Sequence, residues 1–188
     1  MKTPAETVFQ FDKPGSGIHI NIVTLPDDPN KAFLVLSNAD GRVDIVEKGN
    51  LRPYKSLQIE MMQCSIQLSN YLIIGSTRKL FIVDIAQDFE VLGHISLSRD
   101  IFSICPMNLH NIVCGQQGGQ LAMIQIKDGA LTKIAENKVA SAIYKVIRTS
   151  QDDYALACSG GLFFASYDTR YKKFTKAQEF FLTDHLIT

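Results

Sequence analysis

The residue types that most often carry out chemistry are few in this sequence and lie far apart. Its four histidines are His19, His94, His110 and His185, and acid–base or metal chemistry needs such groups to converge on one site. Neither a GxSxG nor an HExxH motif occurs, so no signature of a serine nucleophile or of a zinc peptidase is present. We therefore predict no enzyme, although repeats can bring distant loops together and a site assembled in this way stays open.

The cysteines do not form a pattern typical of metal ligands or disulfides. Each lies in an apolar run, with no CxxC and no nearby pair of histidines, which zinc sites of the common kinds require. Free cysteine is among the residue types most often buried. We therefore predict that Cys64, Cys105, Cys114 and Cys158 are buried free thiols, and we predict no metal and no cofactor.

Two acidic pairs and two glycine pairs are the remaining candidates for a site. Asp27-Asp28 and Asp152-Asp153 fall in predicted turns, where solvated carboxylates are the ordinary interpretation. Gly118-Gly119 and Gly160-Gly161 lack the Lys-Ser/Thr pair and the helix that follow the glycines of a phosphate-binding loop. We interpret these glycine pairs as hairpin turns.

Composition indicates the class of protein and disfavours several partners. The chain has 188 residues, 46% of them hydrophobic and 20% charged, and its 19 basic residues balance its 19 acidic ones. Without net charge, no field attracts nucleic acid or an anionic membrane. No apolar run approaches the roughly 20 residues that span a bilayer, and the amino terminus lacks the apolar core of a signal peptide. A globular, cytoplasmic protein is predicted, with no nucleic-acid and no membrane partner.

An internal repeat supplies the elements that would position any site. Four segments share an apolar run, a small residue, a short turn and a second apolar run, with a period of roughly 40 residues. The small residues that align are Ser37, Gly75, Gly115 and Ser159. The runs are rich in β-branched and aromatic residues and too short for helices, so each pair is predicted to be a buried hairpin. Gly or Ser is expected there because the chain comes close to a neighbour or turns tightly.

A weaker strand precedes each hairpin and another follows it. The first of them, IHINIV, alternates cleanly, with Ile18, Ile20 and Ile22 on one face. Four antiparallel strands in roughly 40 to 45 residues is the layout of a β-propeller blade. The predicted fold is thus all-β, a β-propeller of about four four-stranded antiparallel blades, complete or part of a larger ring. The predicted blades are residues 18–60, 61–98, 99–138 and 139–184, after an N-terminal strand and linker at 1–17.

With these repeats, the sequence resembles the WD-repeat propeller family over residues 18–182. That family ends the third strand of a blade with Trp-Asp, and the aspartate is kept here in Val83-Asp84 and Tyr167-Asp168. The matching pairs of the other repeats are Val46-Glu47 and Ile124-Gln125, and the chain has no tryptophan. The resemblance is to a degenerate WD-repeat protein, and other propeller families stay open.

The family also has Gly-His before the first strand of a blade. Its histidine, a strand serine, a turn aspartate and the tryptophan form a hydrogen-bonded chain within the blade. Here Gly93-His94 is the nearest counterpart, a relic of the motif or a simple turn, whereas Ser37 and Asp40 belong to another repeat. Because a buried polar network needs all its members, we expect apolar packing to hold the blades together.

Four blades are few for such a ring. How the ring closes determines whether the chain needs a partner to complete it. Open terminal blades expose apolar faces and strand edges. The four blades close by themselves, or a homodimer or heteromer completes the ring, or the chain is a segment of a longer polypeptide. TVFQF at 7–11 alternates like a strand; it pairs into the last blade, reaches into a neighbour or is a frayed tail.

The resemblance implies a non-catalytic protein–protein interaction scaffold or a subunit of a larger assembly, since propellers offer a rigid ring whose loops form a broad face. Turns and blade-entry segments are expected on one face, which would bind a protein or peptide. The predicted partner-binding residues are Asn38, Asp40, Arg78, Lys79, Arg99, Asp100, Gln116 and Gln117. The alternative is a propeller that binds a small molecule or sugar in its central channel, with or without hydrolysis, and a third hypothesis is a subunit that only completes another chain's ring.

Overall fold

The computed structural model of the protein describes residues 17–38, 41–50, 52–59 and 61–180. Every regular element in these ranges is a β-strand, and sixteen strands form four antiparallel sheets of four strands each. The chain divides into two compact units, Met1–Met62 and Gln63–Thr188. The predicted all-β class and the four four-stranded sheets are confirmed, whereas the predicted N-terminal strand TVFQF lies outside the described residues.

The first unit contains one sheet, the first sheet, whose strands follow one another in chain order. Its strands are β1 (Gly17–Thr24), β2 (Ala32–Asn38), β3 (Arg42–Glu47) and β4 (Lys55–Gln58). Alternation places Phe33, Val35 and Ile45 on one face, where all three are buried. On the other face the predicted alternation of β1 leaves Ile20 and Ile22 exposed.

The second unit contains three sheets with the same consecutive order. The second sheet comprises β5 (Cys64–Leu68), β6 (Tyr71–Gly75), β7 (Lys79–Asp84) and β8 (Glu90–Ser96). The third comprises β9 (Ile101–Asn108), β10 (Asn111–Gln116), β11 (Gln120–Lys127) and β12 (Ala130–Lys138). The fourth comprises β13 (Ile143–Arg148), β14 (Asp153–Cys158), β15 (Gly161–Asp168) and β16 (Lys173–Phe180). Each sheet thus corresponds to one sequence repeat.

The two aspartates that match the acid of the WD pair end their strands by closing a turn. Asp84 Oδ1 accepts hydrogen bonds from the backbone N–H groups of Ala86 (2.9 Å) and Gln87 (3.3 Å). Asp168 Oδ1 accepts in the same way from Arg170 and Tyr171, at 2.9 and 3.2 Å. A short acid is suited to this position because its carboxylate satisfies backbone donors that leave the ladder.

Two apolar layers hold the sheets of the second unit together, as expected. We call the side that a sheet turns to the preceding sheet its leading face and the opposite side its trailing face. Between the second and third sheets the layer contains the trailing residues Ile66, Ile73, Leu80 and Ile82 and the leading residues Ile104, Ile112, Cys114 and Ile124. Between the third and fourth it contains Cys105, Val113, Leu121 and Met123 on the trailing side and Val146, Tyr154, Leu156 and Phe163 on the leading side. The third sheet is therefore covered on both faces.

The aligned glycines lie where one sheet approaches the next. A Cβ on Gly75 would lie 2.9 Å from Ile101 Cγ2, and a Cβ on Gly115 would lie 2.8 Å from Ile143 Cγ2. Both isoleucines begin the first strand of the following sheet, so the space of a side chain is already filled. Ser159 differs, because it lies in the exposed turn between β14 and β15. The strand register instead places Ala157 where the third sheet has Gly115.

Candidate protein-interaction surface

Turns and sheet-to-sheet connections of the second unit lie side by side along one rim. The N–H of Ile101 donates to Ser76 O (3.2 Å), that of Gln117 to Asp100 O (2.9 Å) and that of Ser159 to Ala142 O (3.0 Å). The first bond joins the hairpin turn of the second sheet to the segment that enters the third, and the other two each join a hairpin turn to the segment that enters its own sheet. We call this surface the turn rim. It comprises residues 76–79, 97–100, 116–119, 139–142 and 159–160.

A second recurring bond ties the end of the last strand of each of the first three sheets to the hairpin turn of the same sheet. Leu97 N donates to Arg78 O at 2.8 Å, and Val139 N donates to Gly119 O at 3.0 Å. The first sheet has the same bond, from Ile59 N to Gly41 O, at 3.0 Å. Because these backbone groups bond to one another rather than to water, the turn rim has a fixed backbone on which side chains are displayed.

The structure brings six of the eight predicted partner-binding residues together on this rim. They are Arg78, Lys79, Arg99, Asp100, Gln116 and Gln117. Of the remaining two, Asn38 ends β2 in the first unit and Asp40 lies outside the described residues. The prediction that turns and entry segments share a face thus describes the second unit, where the hydrogen bonds connect them.

Gln116 supports the rim from inside and is fully buried. Its Oε1 accepts a hydrogen bond from Arg99 N at 2.9 Å, and its Nε2 donates to Glu136 Oε1 at 2.9 Å. Ser98 Oγ also donates to Glu136, at 2.9 Å. Gln116 therefore fixes the backbone at Arg99. The rim residues next to Gln116, rather than Gln116 itself, meet solvent.

Glu136 is the charged centre of this network and was not among the predicted site residues. Lys133 Nζ lies 2.6 Å from Glu136 Oε2. Burial raises the pKa of Glu136, but hydrogen bonds from Lys133, Gln116 and Ser98 outweigh it and lower the pKa to about 2. The carboxylate is therefore ionised at neutral pH and holds three segments of the third sheet together.

The exposed charge of the turn rim is mainly positive. Arg78 and Arg99 are exposed and Lys79 is half-buried, and the exposed Lys138 ends β12 directly before the rim residues 139–142. The acid among the predicted rim residues is Asp100, whose Oδ1 lies 4.0 Å from Arg78 Nε. Such an exposed pair contributes little stability, so both groups remain available to a charged partner.

Glycine is required where the turn of the third sheet meets the segment that follows it. Gly119 has a φ of 82°, and a Cβ there would lie 2.0 Å from Ala140 O. Its neighbour Gly118 has no room either, since a Cβ would lie 2.9 Å from Arg99 Cγ. The glycine pair is a hairpin turn, as predicted, and it also lets Ala140 and Arg99 each approach the turn closely.

The first strands of the third and fourth sheets carry aromatic side chains that meet each other. Phe102 and Tyr144 stack with ring centroids 5.9 Å apart and planes inclined by 12°.

Among the described residues, no three of His, Cys, Asp and Glu gather as a metal site would require. In the same ranges of the chain, no helix is long and apolar enough to cross a membrane.

Comparison of the chain with protein-family models found no match, and comparison with curated protein sequences found none either.

Proposed function

We propose that this protein is a non-catalytic interaction scaffold, a degenerate WD-like propeller whose turn rim binds an acidic segment of a partner protein. The observation that carries this proposal is the row of exposed cations on a hydrogen-bonded backbone. Arg78, Arg99 and Lys138 face solvent, and Asp100 and the half-buried Glu136 are the acids near them. Positive charge of this kind attracts carboxylates and speeds encounter with them.

The rim suits peptide recognition because its backbone is fixed before any partner arrives. The turns at 76–79 and 116–119 each bond to the next connection, and buried Gln116 holds the backbone of Arg99. A partner that meets preorganised donors loses less conformational entropy on binding. Arginine is also the side chain that pairs best with carboxylates, because its planar group makes two parallel hydrogen bonds.

The propeller arrangement is supported by the packing within the second unit. Leading faces lie on trailing faces twice in succession, the first strands β5, β9 and β13 are neighbours, and so are the last strands β8, β12 and β16. Sheets that fan out in this way, with twisted four-stranded units, are the elements of a propeller. A cytoplasmic location, consistent with the composition, is part of the same proposal.

The test is selection of a random-peptide phage library on the purified chain, followed by titration of the selected synthetic peptides. We expect selected peptides rich in Asp and Glu, whose affinity falls about tenfold or more in an Arg78→Glu/Arg99→Glu double variant, equivalent to about 1.4 kcal/mol. Affinity should also fall as salt is raised, because exposed charges are screened. Arg170→Glu is the matched control, since Arg170 is exposed in the turn between β15 and β16. If this variant loses as much peptide affinity as the double variant, the proposal is contradicted. Selected peptides without acidic residues would contradict it as well.

A further inference from the structure

The trailing face of the fourth sheet carries an apolar patch, with Lys145 and Gln178 on the same face, although none of the described sheets of the second unit covers it. Its strand register matches the trailing face of the third sheet: Ile147 pairs with Ala155 as Cys105 pairs with Val113. In the next strands, Leu162 stands where the third sheet has Leu121. These positions are buried in the third sheet, but Ile147 is 57% exposed and Leu162 37% exposed.

Two aromatic side chains complete this face. Phe180 pairs with Leu162 across the strands β15 and β16 and is 45% exposed. Its ring meets that of Phe164 edge-on, with centroids 5.8 Å apart. Neighbouring exposed apolar side chains in one patch mark an interaction surface more strongly than scattered ones do.

The first sheet presents the opposite kind of face. Ile20 pairs with Leu36 as Ile104 pairs with Cys114, and those residues of the third sheet belong to its leading face. Ile20 is 61% exposed and Ile22 64% exposed, whereas Leu36 and Val46 on the same face are already buried. An apolar groove of about 230 Å³ on this sheet is lined by Ile22, Leu34 and Val46, among others.

We propose that these two faces bind each other between two copies of this chain, the trailing face of the fourth sheet of one copy on the leading face of the first sheet of the other. The binding partner of each face is inferred from the packing within the second unit. There, a trailing face is twice covered by the leading face of another four-stranded sheet. One chain presents both kinds of face, so association is head to tail. This inference uses the sheet faces and is independent of peptide binding at the turn rim.

The area of the faces favours a closed pair over a single contact. Strands about 4.8 Å apart with a rise of about 3.3 Å per residue give a four-stranded, five-residue face of roughly 300 Å². One contact between two such faces buries roughly 600 Å², below the roughly 1,200 to 2,000 Å² of stable interfaces. When each copy uses both faces, two contacts bury at most roughly 1,200 Å², the lower end of that range, because part of the first sheet's face is already buried.

The experiment is light scattering over about a hundredfold range of concentration, because association depends on mass action. We expect the wild-type chain to have twice the monomer mass of 20.9 kDa. Ile147→Lys on the fourth sheet and Ile22→Lys on the first should each yield monomers. Leu109→Lys should remain paired, because Leu109 is 66% exposed but lies in the turn between β9 and β10.

Mixing the two face variants distinguishes head-to-tail pairing from other arrangements. An equimolar mixture of Ile147→Lys and Ile22→Lys keeps one intact contact, so mixed pairs should return at high concentration although neither variant pairs alone. Urea unfolding of each variant shows that it is folded, and Ile147→Ser and Ile22→Ser replace any lysine variant that is not. A wild-type monomer at every concentration overturns the proposal, as does a pair that survives Ile22→Lys, since the fourth sheets would then bind each other.

Discussion

The third and fourth sheets of the second unit share one register, yet only the third is covered on both faces. Gly115 and Leu121 of the third sheet are enclosed by the fourth, whereas Ala157 and Leu162 at the matching positions meet solvent. Apolar residues at these positions therefore identify a face suited to packing against another sheet, and the structure shows which of these faces are covered. Matched substitutions in the two sheets turn this difference into measurements.

The largest effect is expected where a side chain is added to the enclosed position. Gly115→Val places a Cβ 2.7 Å from Val146 Cγ2, and overpacking of this kind costs about 3 kcal/mol in the free energy of unfolding. Ala157→Val adds similar volume to an exposed site and should change it by less than about 0.5 kcal/mol. Urea unfolding measures both, and equal destabilisation would show that the trailing face of the fourth sheet is covered in the isolated chain.

Removal of a matched leucine should give the next largest difference. Leu121 is 0% exposed, so Leu121→Ala should destabilise the fold by about 3 kcal/mol. Leu162→Ala, at 37% exposure, should cost under about 1 kcal/mol in the monomer. At concentrations where chains pair, the cost of Leu162→Ala should increase, because the leucine is then buried between copies. A concentration-independent cost at Leu162 would contradict burial there.

The sequence was sufficient to predict the hairpins because their determinants are local. Apolar runs around the small residues Gly75 and Gly115 predicted buried hairpins, and the structure has Tyr71–Gly75 with Lys79–Asp84 and Asn111–Gln116 with Gln120–Lys127 there. The last strand of the first sheet, Lys55–Gln58, is the shortest of the sixteen described strands. Pro53 accounts for part of this, since proline has no N–H to donate to a ladder.

The details of the candidate site could not be predicted from local pattern. Gln116 was expected in an exposed turn, yet its buried amide bonds to Glu136, 20 residues away. Ser159 aligned with Gly115 by its neighbours, but the pairing of Ala157 with Lys145 matches that of Gly115 with Ser103, so Ala157 occupies this position instead. Both differences arise from long-range pairing, whereas periodicity reports only which side of its own strand a residue lies on.

A smaller, pH-dependent effect should separate the carboxylates of the two sheets. The pKa of Glu136 is lowered from its ordinary 4.5 to about 2, so its stabilising contribution is present above about pH 4.5 and is lost as pH falls toward 2. Allowing for solvent screening, Glu136→Gln should cost about 1 kcal/mol at neutral pH and nothing at pH 2.

Asp153 of the fourth sheet is the matched control for Glu136. Hydrogen bonds from Ser150 and Ser166 lower its pKa, but the carboxylate is exposed to solvent. Asp153→Asn should therefore change the acid dependence of unfolding less than Glu136→Gln does. If the two substitutions have equal effects between pH 2 and about pH 5, the buried network around Gln116 does not hold the third sheet together.

The smallest expected effect concerns thiol reactivity. Burial raises the pKa of the half-buried Cys158 thiol to about 11 and that of Cys114, which is fully buried, well above its ordinary value. Because the thiolate is the reactive form, Cys158 should react slowly with an aromatic disulfide, about tenfold faster per pH unit between about pH 7 and 9. Cys114 should react only after unfolding.

Mass spectrometry identifies the labelled residue, and Cys158→Ser should remove the early labelling. If Cys114 reacted as fast as Cys158 in the native state, the third sheet would not be enclosed, and the contrast between the two sheets would fail.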